Sequence, residues 1–405
     1  SEVDTYEHQG GPFLWPILSA AMLAPFFIPF ETIFPGIIIT DFLFPVFIFV
    51  SFFFLFRLLT ENRGYALFSA LLLMLSPQLP HYLPPSSFAE LKSLIFPFIP
   101  LPISSTFIVD ATYLARESFI PGAPFFILLF YFVYKAIHAE AGRKVYLVFA
   151  GIFYGLLFYL YFYFWAFATV FLALFFFGLL LQKRMDAART VFTVGAIGLI
   201  FSIPFWASHF NLARLPNYEE LIDRMGPELG HSFRWFLWKS YAVVFLMAGV
   251  SFFIGRKFGM PVKALFLIAL AFAEIVVLNE QVITGFNVQS DHWSSRVFLV
   301  TRGIIWLTVL YYMFLYLKDT ARALNKKNVM TVFLSVIVVS LALNGVYTGI
   351  AQSKKNASLY TVDSAFMQSY EWLNENTPKD SVVLTPSLET NIDLPVYTHT
   401  RIFLA

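Results

Sequence analysis

Residues 163–182, YFWAFATVFLALFFFGLLLQ, hold no charged side chain. A helix of that length rises about 30 Å, which is the thickness of a bilayer's hydrocarbon core. In lipid the backbone must satisfy its own N–H and C=O groups, and a helix does so within one segment. The reading extends along the chain. Segments 37–59, 64–80, 118–138, 145–160, 190–208, 238–255, 262–279, 298–317 and 329–350 are similarly apolar. With 163–182 they make about ten spans. Only Tyr161 and Phe162, after Leu160, separate the fourth span from the fifth, so the two form a tight hairpin or a broken pair. Segment 13–30 is apolar but carries Pro16, Pro25 and Pro29, with Pro12 and Pro35 on its flanks. Proline removes a backbone donor and clashes with the preceding turn. This segment reads as an interfacial or re-entrant helix.

Composition points the same way. The 405 residues are 59% hydrophobic and 13% charged, against about 25% charged in soluble domains. Phe alone occurs 51 times, more apolar surface than a water-soluble core of this size can hide. The formal net charge of +2 and the lack of a basic stripe argue against a nucleic-acid partner. There is no cysteine, which excludes disulfides and thiolate metal sites.

Lys and Arg set the expected orientation, because short cytoplasmic loops collect positive charge. One set of short loops carries Arg63; Arg143 and Lys144; Lys183, Arg184 and Arg189; Arg256, Lys257 and Lys263; and Arg322, Lys326 and Lys327. The alternate set, 81–117, 209–237, 280–297 and 351–405, is longer and sparser in positive charge. The expected fold is an all-α polytopic membrane protein of the cytoplasmic (plasma) membrane, with long loops and the C-terminus outside. Residues 1–36 form an outer loop with an interfacial helix, 37–350 the transmembrane domain, and 351–405 the start of an outer soluble α/β domain. Residues 1–12 are polar and do not read as a signal peptide. A first helix upstream of Ser1 would export them. Residues 382–386 and 401–405 read as strands, so the chain is expected to be a stretch of a longer protein. The alternative is a complete protein with a cleaved leader and a small tail.

Polar residues gather in the long loops. The run Glu2-Val3-Asp4-Thr5-Tyr6-Glu7-His8 puts Asp4 and His8 on one helical face. A carboxylate beside an imidazole suits a general base or a divalent cation; the alternative is a solvated terminus. Asp110 and Arg116 stand at the mouth of the span beginning near Ser118. The Arg fork pairs with phosphate, or it simply pairs with Asp110. Region 209–237 reads as loop with a short surface helix, 217–225. The densest cluster is 279–302, with Asn279, Glu280, Gln281, Gln289, Asp291, His292, Arg296 and Arg302. His292 and Arg296 are four apart and can face one cavity, as a cationic pair suited to a lipid-linked phosphate. The alternative there is an interfacial cap whose amides satisfy loop backbone. Glu274 is an acid inside a span, where a carboxylate faces a partner or a water-filled cavity.

Several of these stretches resemble the GT-C class of membrane glycosyltransferases. Asp4-Thr5-Tyr6-Glu7-His8 is similar to the acidic first outer loop of that class. Arg116-Glu117-Ser118-Phe119-Ile120-Pro121 is similar to a recurring Arg-x-x-x-x-Pro start of a span. Gly155-Leu156-Leu157-Phe158-Tyr159, with Tyr161, Tyr163 and Trp165, resembles an aromatic hairpin of bacterial and archaeal members. The most specific match is Asn279-Glu280-Gln281-Val282-Ile283-Thr284-Gly285 with Gln289 and His292. Trp372-Leu373-Asn374-Glu375-Asn376-Thr377-Pro378 is similar to the start of their outer domain. The resemblance implies transfer of a sugar from a polyprenyl-phosphate donor to an acceptor on the outer face. It makes Asp4, with His8 beside it, the catalytic candidate, as base or as ligand of a divalent cation. It makes Arg116, His292 and Arg296 phosphate-binding candidates; with Asp110, Glu280 and Gln281 from the same polar loops they form the substrate-binding set. The chain departs from the class in lacking an Asp-Asp or Asp-Glu dyad in the first loop and the helix before it. Those departures leave two rivals: a non-catalytic subunit or scaffold that works through protein partners, and a transporter, which the absence of an internal repeat disfavours.

Overall fold

Uncharged runs of Phe, Leu, Ile and Ala coil into helices because lipid offers the backbone no other partner. The computed structural model describes residues 17–30, 34–75, 120–214, 218, 227–323, 362–385, 394 and 397–402. In chain order the helices are α1 (Ile17–Phe27), α2 (Phe34–Thr60), α3 (Arg63–Leu75), α4 (Ala123–His138), α5 (Arg143–Leu157) and α6 (Phe162–Leu181). They continue as α7 (Met185–Phe201), α8 (Ile203–Leu212), α9 (Trp238–Lys257), α10 (Pro261–Leu278), α11 (Phe298–Ala323) and α12 (Ser364–Asn376). Among the described residues, six helices are long and apolar enough to cross a membrane, or seven if α7 and α8 count as one bent span. This is the architecture of an all-α membrane protein.

The difference from about ten spans has local causes. Helix α5, expected over 145–160, has 15 residues and rises only about 22 Å. Helix α3 has 13 residues, and residues 76–80 of its expected span lie outside the described residues. The span expected at 190–208 breaks at Ser202, and α8 leaves α7 at 48°. Pro204, in the first turn of α8, has no N–H to carry the α7 ladder forward. The span 329–350 lies outside the described residues, as do residues 1–16, the loop 81–117 and, apart from Tyr218, the surface helix 217–225. Helix α1 has 11 residues with Pro25 near its end, too short to span.

Aromatic rings fill the centre of the bundle. Phe126 of α4 stacks on Phe164 of α6 at 4.5 Å. Phe266 of α10 meets Phe171 and Phe175 of α6 edge-on at 5.3 and 5.7 Å. Phe42, Phe177, Phe192 and Phe252 are exposed on the outside, where a soluble protein would place charge.

Contacts at the two ends match the alternation of the two loop sets. At the basic end, Lys263 Nζ of α10 donates to the Leu59 carbonyl at 2.7 Å and to the Tyr312 hydroxyl at 2.6 Å. Lys263 was expected as a loop charge; it is buried instead and joins α2, α10 and α11. At the other end, α1 docks on the α5–α6 turn through Leu18 N to the Tyr159 carbonyl, 3.1 Å. Tyr159 in turn donates to the Phe201 carbonyl at 2.8 Å.

Inside the bundle, Arg302 Nε of α11 donates to Glu274 Oε2 of α10 at 2.8 Å, and Thr301 donates to Oε1 at 3.2 Å. The intramembrane acid therefore faces a partner rather than lining the Glu280 cluster. Arg302, grouped with that cluster in the sequence, belongs to this pair one turn deeper.

The C-terminal segment holds α12, capped by Asp363, whose carboxylate accepts from Ala365 N at 2.8 Å. Val382–Val383 and Arg401–Ile402 pair in parallel, two residues each, close to where strands were expected. Tyr370 stacks on Tyr397 at 5.7 Å over a small core with Leu394 and Ile402.

Candidate functional site

The polar cluster sits at the end of the bundle opposite Lys263. Its frame is a two-stranded antiparallel ribbon, Pro227–Leu229 with Phe286–Val288. A single helical turn, Gln281–Thr284, follows α10 and closes at Gly285. Gly285 has φ +83°, and a Cβ there would lie 3.2 Å from His231 Cε1. Its N–H donates to the Gln281 carbonyl and its carbonyl accepts from Gly230 N, both at 2.9 Å. Left-handed backbone costs other residues about 1–2 kcal/mol. Gly285→Ala is accordingly expected to lower stability by about that much, read as a lower thermal midpoint, with Gly285→Asn less affected.

Amide side chains lock the cluster to the ends of the helices. Asn279 Oδ1 accepts from Arg234 N at 3.0 Å, and Asn279 Nδ2 donates to the Tyr241 hydroxyl at 2.9 Å. Gln281 Nε2 donates to the Ser232 carbonyl at 3.0 Å, and its Oε1 accepts from Asn287 Nδ2 at 3.4 Å. Buried Trp293 donates its indole N–H to Asn287 Oδ1 at 3.2 Å. Gln281, expected to bind substrate, thus braces the loop with both ends of its amide. Arg234 is buried and paired with Glu228, which also accepts from Ser290.

The other wall comes from α6 and the π-turn Trp293–Val297 that leads into α11. A π-turn widens the helix by one residue, and such turns gather at functional sites. Arg296 Nη1 donates to the Tyr161 hydroxyl at 2.8 Å, and that hydroxyl lies 3.4 Å from His292 Nδ1. Both cationic candidates therefore meet at one phenol. Tyr163 donates to the Val288 carbonyl at 2.9 Å. Its ring lies 5.1 Å from His292 and 4.8 Å from Trp293. The charges of Asp291, Glu280 and Arg296 are all felt at the Tyr163 hydroxyl, so these groups share one electrostatic neighbourhood.

Glu280 differs from its neighbours. Burial pushes its carboxyl up to about 7, against the pull of the Arg234 charge. Oε1 is shielded from solvent and has no hydrogen-bond partner among the described residues.

The cluster brings together Glu280, Gln281, His292 and Arg296. Asp4, His8, Asp110 and Arg116 lie outside the described residues. Among the described residues, no group of three or more His, Asp or Glu is placed to hold a metal ion. Tyr161, Tyr163, Asn287 and Trp293 were not site candidates in the sequence. The signal available was a Tyr-x-Tyr at the start of a span, which looks the same as an interfacial aromatic belt.

No protein-family model and no curated protein matches the chain. Function has to be read from the site itself. A guanidinium and an imidazole converge on a phenol, beside a shielded carboxyl, at the mouth of an aromatic-walled bundle. Such a set can bind an anion and move a proton next to lipid.

Proposed function

We propose that this protein is a membrane glycosyltransferase of GT-C type, moving a sugar from a polyprenyl-phosphate donor to an acceptor hydroxyl on the outer face of the cytoplasmic membrane. The observation that carries the reading is the meeting of Arg296, His292 and Tyr161 across 135 residues of sequence. A departing lipid phosphate develops negative charge, and preorganised donors aimed at that charge are the largest catalytic term. Tyr161 orients the Arg296 fork, and the apolar helices suit an isoprenoid tail.

In this reading Arg116 joins Arg296 on the phosphate, and Asp110 is a further substrate-binding residue. Asp4 and His8 act on the acceptor, Asp4 as base or through a divalent cation. The basic loops are cytoplasmic and the polar end is outside. Helix α12 and the paired strands begin an outer α/β domain.

A native mass spectrum of the purified protein tests this. The expected result is a bound lipid of polyprenyl-phosphate mass, lost in Arg296→Ala. Only bulk phospholipid on the unaltered protein would overturn the reading and favour a non-catalytic subunit.

A further inference from the structure

We infer that Glu280 is the group that takes the proton from the acceptor hydroxyl. The inference rests on the transferase reading; of the two roles open to Asp4 there, it moves the base to Glu280 and leaves Asp4 to position a divalent cation.

The argument starts from hydrogen bonds. Around Glu280, the neighbouring polar groups are engaged. Asn279 and Gln281, the residues on either side, are held by Tyr241, Ser232 and Asn287. Tyr163 is committed to the Val288 carbonyl. Arg234, whose charge acts on Glu280, pairs with Glu228 instead. Glu280 Oε1 is left shielded and without a partner among the described residues. A buried acceptor in that state costs about 1–3 kcal/mol or more. Such a group calls for an explanation, and a catalytic role is one that fits a carboxyl at the mouth of the bundle.

Placement favours use. Asn279 and Gln281 fix the backbone on both sides, which holds the carboxyl on rigid elements, as a proton acceptor requires. Among the described residues, the charged and titratable groups of this cluster include Glu228, His231 and Arg234 from the ribbon segment, Tyr241 of α9, Tyr161 and Tyr163 at the start of α6, and Asp291, His292 and Arg296 from the turn before α11. A carboxyl pushed up to about 7 is part-ionised near neutrality and can both accept and release a proton.

The step balances. The Glu280 carboxylate accepts the hydroxyl proton as the acceptor oxygen forms its bond to the anomeric carbon. The bond from that carbon to the phosphate oxygen breaks, and its electron pair leaves on polyprenyl phosphate beside Arg296. Glu280 then returns the proton to solvent.

The test uses the full chain in lipid nanodiscs with two probes. Farnesyl phosphate reports the phosphate site. Farnesyl-phosphate mannose, glucose and galactose, offered in turn with water or a simple glycoside as acceptor, report turnover. The expected result is release of farnesyl phosphate from a hexose donor at a rate that rises with pH through about 7. Glu280→Gln should bind farnesyl phosphate as before but turn over about 10²–10⁴-fold more slowly, without the pH rise. Glu280→Asp should recover part of the rate, and Asp4→Asn should keep the pH rise. Infrared titration should show a protonated carboxyl lost near the same pH, absent in Glu280→Gln. Turnover by Glu280→Gln with rate and pH rise intact would overturn the inference and leave the transferase reading standing. Wild-type protein that neither binds farnesyl phosphate nor releases it would overturn both.

Discussion

Arg302→Ala is expected to destabilise the bundle by about 3–5 kcal/mol. Glu274 is fully buried, and Arg302 is almost so. Their contact joins α10 to α11 at 2.8 Å, with Thr301 satisfying the second carboxylate oxygen. Removing the guanidinium leaves a charge inside the bundle with one hydroxyl for company, and the carboxyl must take up a proton to stay. Glu274→Ala should be as harmful, because it strands the arginine. The double variant Glu274→Leu/Arg302→Met removes both charges and fills similar volume. It should recover most of the loss, since apolar replacement of a buried pair is often neutral or stabilising. Thermal unfolding in detergent, followed by tryptophan fluorescence, reads all three. Single variants as stable as the parent would mean that the Arg302–Glu274 contact does not hold α10 to α11.

Gly155→Leu and Gly198→Leu should each cost about 3 kcal/mol, the upper end for overpacking. Helices α5 and α7 approach closely along Gly151-x-x-x-Gly155, the spacing that lets backbones touch in membranes. A Cβ at Gly155 would lie 2.4 Å from Phe201 Cβ and 3.0 Å from the Gly198 carbonyl oxygen. A Cβ at Gly198 would lie 2.1 Å from Tyr154 Cδ1. Tyr154 cannot swing clear without losing its 2.7 Å hydrogen bond to Thr169 and its packing on Phe158. The helices would have to separate, and Tyr159, which ties α5 to the end of α7, would move with them. Gly195→Leu is the control, because a Cβ there meets nothing within 4 Å. Unfolding midpoints of the three variants check the contrast, and a stable Gly198→Leu would mean that α5 and α7 can separate at little cost.

The apolar runs were legible because solvation acts locally. A stretch such as 163–182 or 262–279 is driven into lipid by its own side chains, whatever lies elsewhere in the chain. The same locality explains the errors. Counting apolar residues does not register that Pro204 ends α7 early or that α5 stops at Leu157. The candidate site was legible only in part. The density of polar residues over 279–302 marked the region, and His292 and Arg296 at a spacing of four marked a shared face. Nothing along the sequence distinguished Gln281, a brace, from Glu280, an acceptor left open, because the two stand side by side with similar side chains.

By itself, then, the amino-acid sequence determined a helical membrane bundle, the positions of its ends and the alternation of basic and polar loops, each a property of short continuous segments. Tertiary structure alone decided that Glu274 takes Arg302, that Lys263 is buried among three helices, and that Tyr161 joins Arg296 to His292. Those pairings depend on where distant helices pack against one another, and packing is settled by shape and satisfied polarity across the whole bundle.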